Sequence, residues 1–256
     1  MQLKENVFVI NAAGGNPTAI RIVENAHDRR WYEINGHTLM IDNATYGVEQ
    51  AGFLIPSLLH FEMSGGEFCG NAARAAAMLL SRMTHQSSVD FTMSGYAGRV
   101  KAEVKDIDEK KADVTCWFPN LAREAQNVKI LNDQDAKLVD LGGIVHVLIC
   151  GAMPSNYEET HRRITAELNL TEREAVGVIW VTQRPNGLRI DPVVWVRAIN
   201  TFFYETACGS GSIATGLATG INQIEQPSGQ TIDVERDGNT VRLHSVMEVT
   251  HVEESQ

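Results

Sequence analysis

Two cysteines, Cys69 and Cys208, each stand immediately before a glycine and a run of small residues that reads as a helix. The first sits in Glu67-Phe68-Cys69-Gly70-Asn71-Ala72-Ala73-Arg74, the second in Glu205-Thr206-Ala207-Cys208-Gly209-Ser210-Gly211-Ser212. A helix start leaves its first N–H groups unpaired and carries the positive end of the helix dipole, so a sulfur there is expected to release its proton more readily than a free cysteine. Paired thiols of this kind suit proton transfer at a carbon acid. Removing the α-proton of an amino acid spreads charge into its carboxylate, and the planar intermediate accepts a proton on either face. Inversion then takes a base on one side and an acid on the other. If each sulfur approaches Cα to about 3–3.5 Å, the pair should sit roughly 7 Å apart across the substrate. The N–H groups of Gly70, Asn71, Gly209 and Ser210 are the expected grip on the carboxylate and on the charge that develops there.

The elements that must position these thiols read as two copies of one unit. The cysteines are 139 positions apart in a chain of 256 residues. Ser94-Gly95 recurs as Ser228-Gly229, and Val7-Phe8-Val9-Ile10 has a counterpart in Val145-His146-Val147-Leu148-Ile149, at nearly the same offset. Short apolar or alternating runs predict strands at 6–11, 18–23, 38–41, 52–55, 59–63, 89–93, 98–105, 112–118, 144–150, 176–182, 193–197, 231–235 and 240–247. Helices are expected at 70–83 and 209–223, after the two cysteines, and more weakly near 45–50, 133–137 and 156–168. The Ala72 to Ala77 run reads as close packing in a central helix. Pro119-Asn120 followed by a polar stretch places a lobe boundary between residues 1–119 and 120–256, with the tail from Val249 free to return to the first lobe as an extra strand.

Size and charge narrow the classes. A chain of 256 residues with 43% hydrophobic content can bury two modest cores. A net charge of −10 argues against a phosphate-backbone partner, and no apolar stretch approaches the ~18–20 residues that cross a bilayer. Met1 to Glu5 run straight into a strand rather than a signal-peptide core, and four cysteines without a Cys-x-x-Cys pair fit a reducing compartment; a cytoplasmic protein is expected. The partner is a small-molecule amino acid, with no nucleic acid and no membrane; the sequence leaves a homodimer open.

Cys69-Gly70-Asn71-Ala72-Ala73-Arg74 and Glu205-Thr206-Ala207-Cys208-Gly209-Ser210-Gly211 closely resemble the cysteine motifs of diaminopimelate epimerase, a cofactor-independent racemase family. Gly14-Gly15-Asn16, Gly47-Val48-Glu49-Gln50 and Ala97-Gly98-Arg99 resemble further family motifs, so the likeness covers nearly the whole chain. The resemblance implies an α+β fold of two similar lobes, each a β-barrel-like sheet around a central helix, with the active site between them and neither pyridoxal phosphate nor metal in use. The motifs that grip the distal amino-carboxylate of diaminopimelate are replaced by Ile144-Val145-His146, Ala175-Val176-Gly177 and Ile199-Asn200, and only His146 survives. Losing several hydrogen-bonding groups should cost several kcal/mol of discrimination, which disfavours that substrate. Met63 to Ala72 and Glu49 to Leu54 are more similar to the histidine racemase branch, which supplies D-histidine to opine metallophores. On this resemblance the expected activity is histidine racemisation, with diaminopimelate or another amino acid as the alternative.

The remaining candidates have two readings each. Asn16, in a Gly-Gly-Asn-Pro turn, is favoured as a substrate contact by the resemblance, although turn chemistry alone selects such residues. Glu49 and Gln50 either contact the amine or ring of the substrate or cap a turn. Glu67 and Glu205 read as charges favoured by the helix dipole, with Glu205 carried as a substrate-side residue. His146 either orients a thiol or is a satisfied core histidine. Phe202, Phe203 and Tyr204 line a ring pocket or the core, and Cys116 and Cys150 read as core residues. Two other classes would use parts of this pattern. A thiol redox protein normally has its cysteines close in sequence, and an amino-acid-binding protein would need the helix ends but neither sulfur.

Overall fold

The computed structural model describes residues 6–185 and 187–253; the expectations for Met1 to Glu5 and for the last three residues lie outside them. In chain order, β1 (Val7–Ala12) and β2 (Gly15–Ile22) lead to α1 (Arg29–Asp42), β3 (Gln50–Ile55) and β4 (His60–Met63). Then follow α2 (Gly70–Thr84), β5 (Ser88–Met93), β6 (Tyr96–Asp106) and β7 (Lys111–Phe118). The second half holds β8 (Gln126–Ile130), β9 (Gln134–Asp140), β10 (Val145–Cys150), α3 (Tyr157–Glu167), β11 (Ala175–Arg184), β12 (Gly187–Val196) and β13 (Thr201–Tyr204). It ends with α4 (Gly209–Thr219), β14 (Gln223–Glu225), β15 (Thr231–Asp237) and β16 (Thr240–Glu253).

The strands order as β1-β2-β3-β4-β5-β6-β7-β16, and β16 pairs back onto β1, so eight strands close a barrel around α2. Every residue from Gly70 to Ser81 is buried, which explains the alanine run: a helix enclosed on all sides by strands has room for little more than a methyl group along most of its length. A second sheet continues β16-β15-β14-β12-β11-β10-β9-β8 and curves around α4. β16 is shared. It pairs with β7 over Val241 to Glu248, with β1 over Met247 to Glu253 and with β15 over Thr240 to His244.

The two halves repeat one topology. β2 and β3 pair in parallel across α1, as β10 and β11 do across α3; β4 and β5 pair in parallel across α2, as β12 and β14 do across α4. The turns at Ser94-Gly95 and Ser228-Gly229 occupy equivalent hairpins, between β5 and β6 and between β14 and β15. The proposed match of Val7–Ile10 to Val145–Ile149 is one strand out. β10 answers to β2, and the antiparallel neighbour β9 answers to β1.

Four element expectations are corrected. Residues 38–41 belong to helix α1, not a strand: Asp28 caps it by accepting the N–H of Trp31 at 2.8 Å, and its buried residues Tyr32, Gly36, Leu39 and Met40 fall on one helical face. Residues 133–137 lie in strand β9, because Leu131, Asn132 and Asp133 at positive φ make a hairpin turn that returns the chain onto β8. Near 45–50 there is a single 3-10 turn, Ala44–Tyr46, ended by Gly47 in the left-handed region before β3 begins. Helix α4 stops at Thr219, four residues early, because Gly220 closes it with φ +74°.

The central helices meet at their N-termini. A methyl group built on Gly70 would lie 3.1 Å from the carbonyl carbon of Gly209, and one on Gly209 would lie 2.9 Å from the backbone of Gly70 and Asn71. Backbone is thus packed on backbone where the halves join. Gly209→Ala is expected to cost about 1–3 kcal/mol by overpacking, read as a lower urea midpoint at unchanged slope; a parental midpoint would show that the helix ends can part freely.

Candidate active site

Cys69 and Cys208 are the N-caps of α2 and α4, with nearly the same backbone: φ −130°, ψ 111° and φ −134°, ψ 106°. Each sulfur accepts the N–H three residues ahead, Ala72 at 3.4 Å and Gly211 at 3.3 Å. Because the helix starts abut, both thiols line one narrow cavity. Its wall includes Glu49, Gln50, Asn71, Glu205, Gly209 and Ser210. Its apolar side is made by Phe68, Ile144, Val194, Val196, Ile199 and Phe203. The space open to the centre of a water molecule is only about 20 Å³.

The surroundings of the two sulfurs differ beyond the caps. Gln50 donates through its Nε2 to Thr18 Oγ1 at 2.6 Å, which turns its Oε1 toward the Cys69 thiol, 3.2 Å away and donating. Cys208 instead lies under the charge of the Glu205 carboxylate and has Ser210 Oγ at 3.7 Å. The thiols are not activated in this closed form. Burial, reinforced by Glu205 and Glu67, pushes Cys69 up to about 12 against the help of the helix N–H groups. Burial and the Glu205 carboxylate likewise raise Cys208 well above its ordinary value. The expectation of readily lost thiol protons is therefore overturned, because withdrawal from water outweighs the helix dipole at both caps.

Three carboxyl groups share this environment. Burial raises Glu49 and Glu67 to about 7 and Glu205 to about 8. Glu49 accepts a long 3.5 Å bond from Thr206 Oγ1, while its Oε2, like Glu67 Oε2, has no hydrogen-bond partner among the described residues. Glu67, expected as a helix-dipole charge, is a cavity wall residue, 4% exposed.

Three expected contact residues stand behind the wall. Asn16 Nδ2 and Asn71 Nδ2 both donate to the carbonyl of Ala207, each at 2.9 Å, so two amides from the first half fix the residue before Cys208. Asn71 still reaches the cavity, whereas Asn16, at φ +46° and 1% exposed, does not line it. Gly70 serves the helix contact. His146 packs its ring over Gly177, where a methyl group would come within 2.2 Å of Nδ1, and burial lowers its pKa to about 3. Neither ring nitrogen has a partner among the described residues, and the ring is not in the cavity wall. β13 alternates as strands do: Phe203 faces the cavity, while Phe202 and Tyr204 pack on His161 and Tyr157 on the other side. Cys116 is fully buried in the barrel, but Cys150 ends β10 exposed, contrary to its reading as core. The apolar wall from Val194 to Phe203 carries no motif, and only its place beside Glu205 signals it.

The model of the family described as histidine racemase CntK N-terminal domain matches residues 10–255. The chain belongs to this family. Histidine racemases from two strains of Fusobacterium nucleatum subsp. nucleatum are 31% and 27% identical to it over 176 and 178 residues, in each case 66% of this chain and 64% of the relative. The chain thus spans less than two thirds of the length of the curated relatives it matches. Among solved structures, a predicted epimerase of Pseudomonas aeruginosa is 13% identical with TM-score 0.65, covering 98% of this chain and 99% of that one. A hydroxyproline epimerase of Agrobacterium vitis with bound trans-4-OH-L-proline is 12% identical with TM-score 0.58, covering 98% and 92%. At such identities these two speak for the fold, α+β in two lobes, which this member of the histidine racemase family shares. No helix among the described residues is long and apolar enough to cross a membrane.

The raised carboxyls give the family member a pH signature. A group protonated in the folded chain and ionised in the unfolded one contributes stability that is present below its unfolded pKa and lost as pH rises through its folded one. For Glu49, Glu67 and Glu205 that loss runs from about pH 4.5 to between 7 and 8. His146 and His161, held neutral by burial with pKa values lowered to about 3 and 4, act oppositely below about pH 6.5. Between about pH 6.5 and 8 the carboxyls act alone, so the melting temperature is expected to fall across that window and Glu67→Gln to make the fall shallower. A melting temperature that rises through the window would contradict the buried carboxyls.

Proposed function

We propose that this chain is an amino-acid racemase acting on histidine, with Cys69 and Cys208 as the acid and base on opposite faces of one Cα. The observation that carries this reading is the common cavity: two thiols on the caps of touching helices, related by the repeat of the fold, with one small space between them. The histidine racemase relatives support the substrate, and the epimerase-fold neighbours fit the class.

The chemistry follows from the groups present. The substrate carboxylate takes the first N–H groups of α2 and α4, which have no carbonyl to meet inside their own helices. As the α-proton leaves, charge moves into that carboxylate and toward both positive helix ends, so the same donors stabilise the intermediate more than the ground state. Glu49 and Glu205 face the ammonium group, which a cavity of buried carboxyls favours over any anion. The thiols need not be thiolates at rest. The Glu205 carboxylate acts on both sulfurs and can take a proton, while Cys69 also donates to the amide oxygen of Gln50. One sulfur acts as the base and the other as the acid, and the reverse reaction exchanges these roles. The cavity is too small for a histidine, so the walls must part to admit it and then close, excluding water from the carbanion.

Incubation of L-histidine with the protein in D₂O is expected to wash deuterium into Cα and to yield D-histidine. Cys69→Ser and Cys208→Ser should each lower racemisation by about 10²–10⁴-fold, the usual worth of a general acid or base. Parental turnover in the double variant would remove the thiols from the mechanism. Because burial raises the thiol and Glu205 values, kcat/KM for the parent should climb between pH 7 and 9. A rate that falls over that interval would contradict a deprotonated base in this site.

A further inference from the structure

We propose that Glu67 is the residue that reads the substrate side chain: its carboxylate accepts an N–H from a nitrogen-bearing ring seated against the apolar wall of the cavity. This rests on the racemase reading above and adds to it the group that sets side-chain preference. Glu67 is nearly inaccessible, lines the cavity, and its Oε2 has no hydrogen-bond partner among the described residues. That oxygen lies over Gly65 beside Val196: a methyl group on Gly65 would fall 2.5 Å from Oε2 and 2.4 Å from Val196 Cγ1. Around Val196 the wall is Val194, Ile199 and Phe203, so this oxygen borders the apolar side of the cavity, with Arg29, Glu62 and Glu174 acting on the carboxyl through their charge. Glu49 and Glu205, by contrast, lie beside Thr206 and the Cys208 cap, where the amino-acid head is held.

An unpaired carboxyl in such a place is costly, and it is not free to withdraw. The loop that carries it is gripped from two sides. Arg29 pairs with Glu62 and donates to the carbonyls of Met63, at 2.7 Å, and of Ser64. Opposite, Gly95 presses on the Glu67–Phe68 peptide so closely that a methyl group there would overlap it at 2.1 Å. Arg29 itself makes no hydrogen bond to Glu67. One oxygen of the carboxyl, Oε2, is therefore held without a hydrogen-bond partner among the described residues against the apolar wall, as a specificity site requires. A ring N–H fills the need, and a side chain without a donor leaves the acceptor desolvated and unpaired, which disfavours it.

The test compares L-histidine with β-(2-thienyl)-L-alanine, a ring of similar shape without an N–H, on the parent and on Glu67→Gln. Cα deuterium exchange gives kcat and KM, and calorimetry gives binding of each ligand. Glu67→Gln is expected to lower the preference for histidine over the thienyl analogue at least tenfold, through weaker binding and higher KM for histidine, with analogue binding within threefold of the parent. Equal losses on both ligands would assign Glu67 to the common head or to folding and overturn the inference; undiminished histidine binding would overturn it as well. A parent that binds histidine without exchanging its Cα proton refutes the racemase reading, while the binding ratio still decides the role of Glu67. A parent that neither binds nor exchanges histidine refutes both. Should Glu67→Gln not fold, Glu67→Asp, which draws the carboxyl back by one methylene, is read by the same ratio.

Discussion

The backbone contact between Gly70 and Gly209 is the constraint on which the rest depends. Two helices can bring their N-termini this close only if neither first residue has a side chain, and only if each is otherwise wrapped in strands that absorb its sides. The small residues of α2 and the enclosing sheet are consequences of that demand. With the helix ends touching, the two cap residues must share one space, and the unpaired N–H groups of both helices converge on it. The carbonyl of Ala207 then acts as the rivet between halves, taking the amides of Asn16 and Asn71 together and leaving the following cysteine little freedom.

Electrostatics in that space run against a simple view of cysteine activation. A helix start alone lowers a thiol's pKa, but here the thiols are sealed among carboxyls, and desolvation wins at both. Charge is poorly tolerated in this buried cavity: the acids are held up near neutrality and the thiols above it. On the proposed reading, a zwitterion would change this balance by bringing an ammonium to the acids and a carboxylate to the helix ends.

Much of this was readable in the residues. Both cysteines, the helices after them, the strand-rich two-part fold and most strands follow from motif and alternation. What escaped has physical reasons. Helix α1 was hidden because its apolar face is short and interrupted by Asn35-Gly36-His37, and a glycine used for close packing on Ser64 resembles a turn residue in sequence. Strand β9 was obscured because exposed Gln134, Asp135 and Lys137 alternate with few apolar residues. His146 illustrates the harder limit: a strand places its side chain on one of two faces, and its neighbour Gly177, far off in sequence, made room for it inside the sheet rather than in the cavity. The role of Asn16 as a clamp and the exposure of Glu67 to the cavity likewise depend on partners more than a hundred residues away or on a turn that no spacing reveals.

The sharing of β16 has a consequence for how the chain reaches its final form. The barrel around α2 lacks one stave until residues 240–253 have been made, because Val7 finds its partner only at Glu253. During synthesis the alanine-rich helix and its cysteine wait in a cylinder with an open seam, and the last long strand both seals that seam and ties the second sheet to it through β15. Loop closure over almost the whole polypeptide is slow compared with local pairing, so the β1–β16 seam is the most expensive contact of the barrel to form.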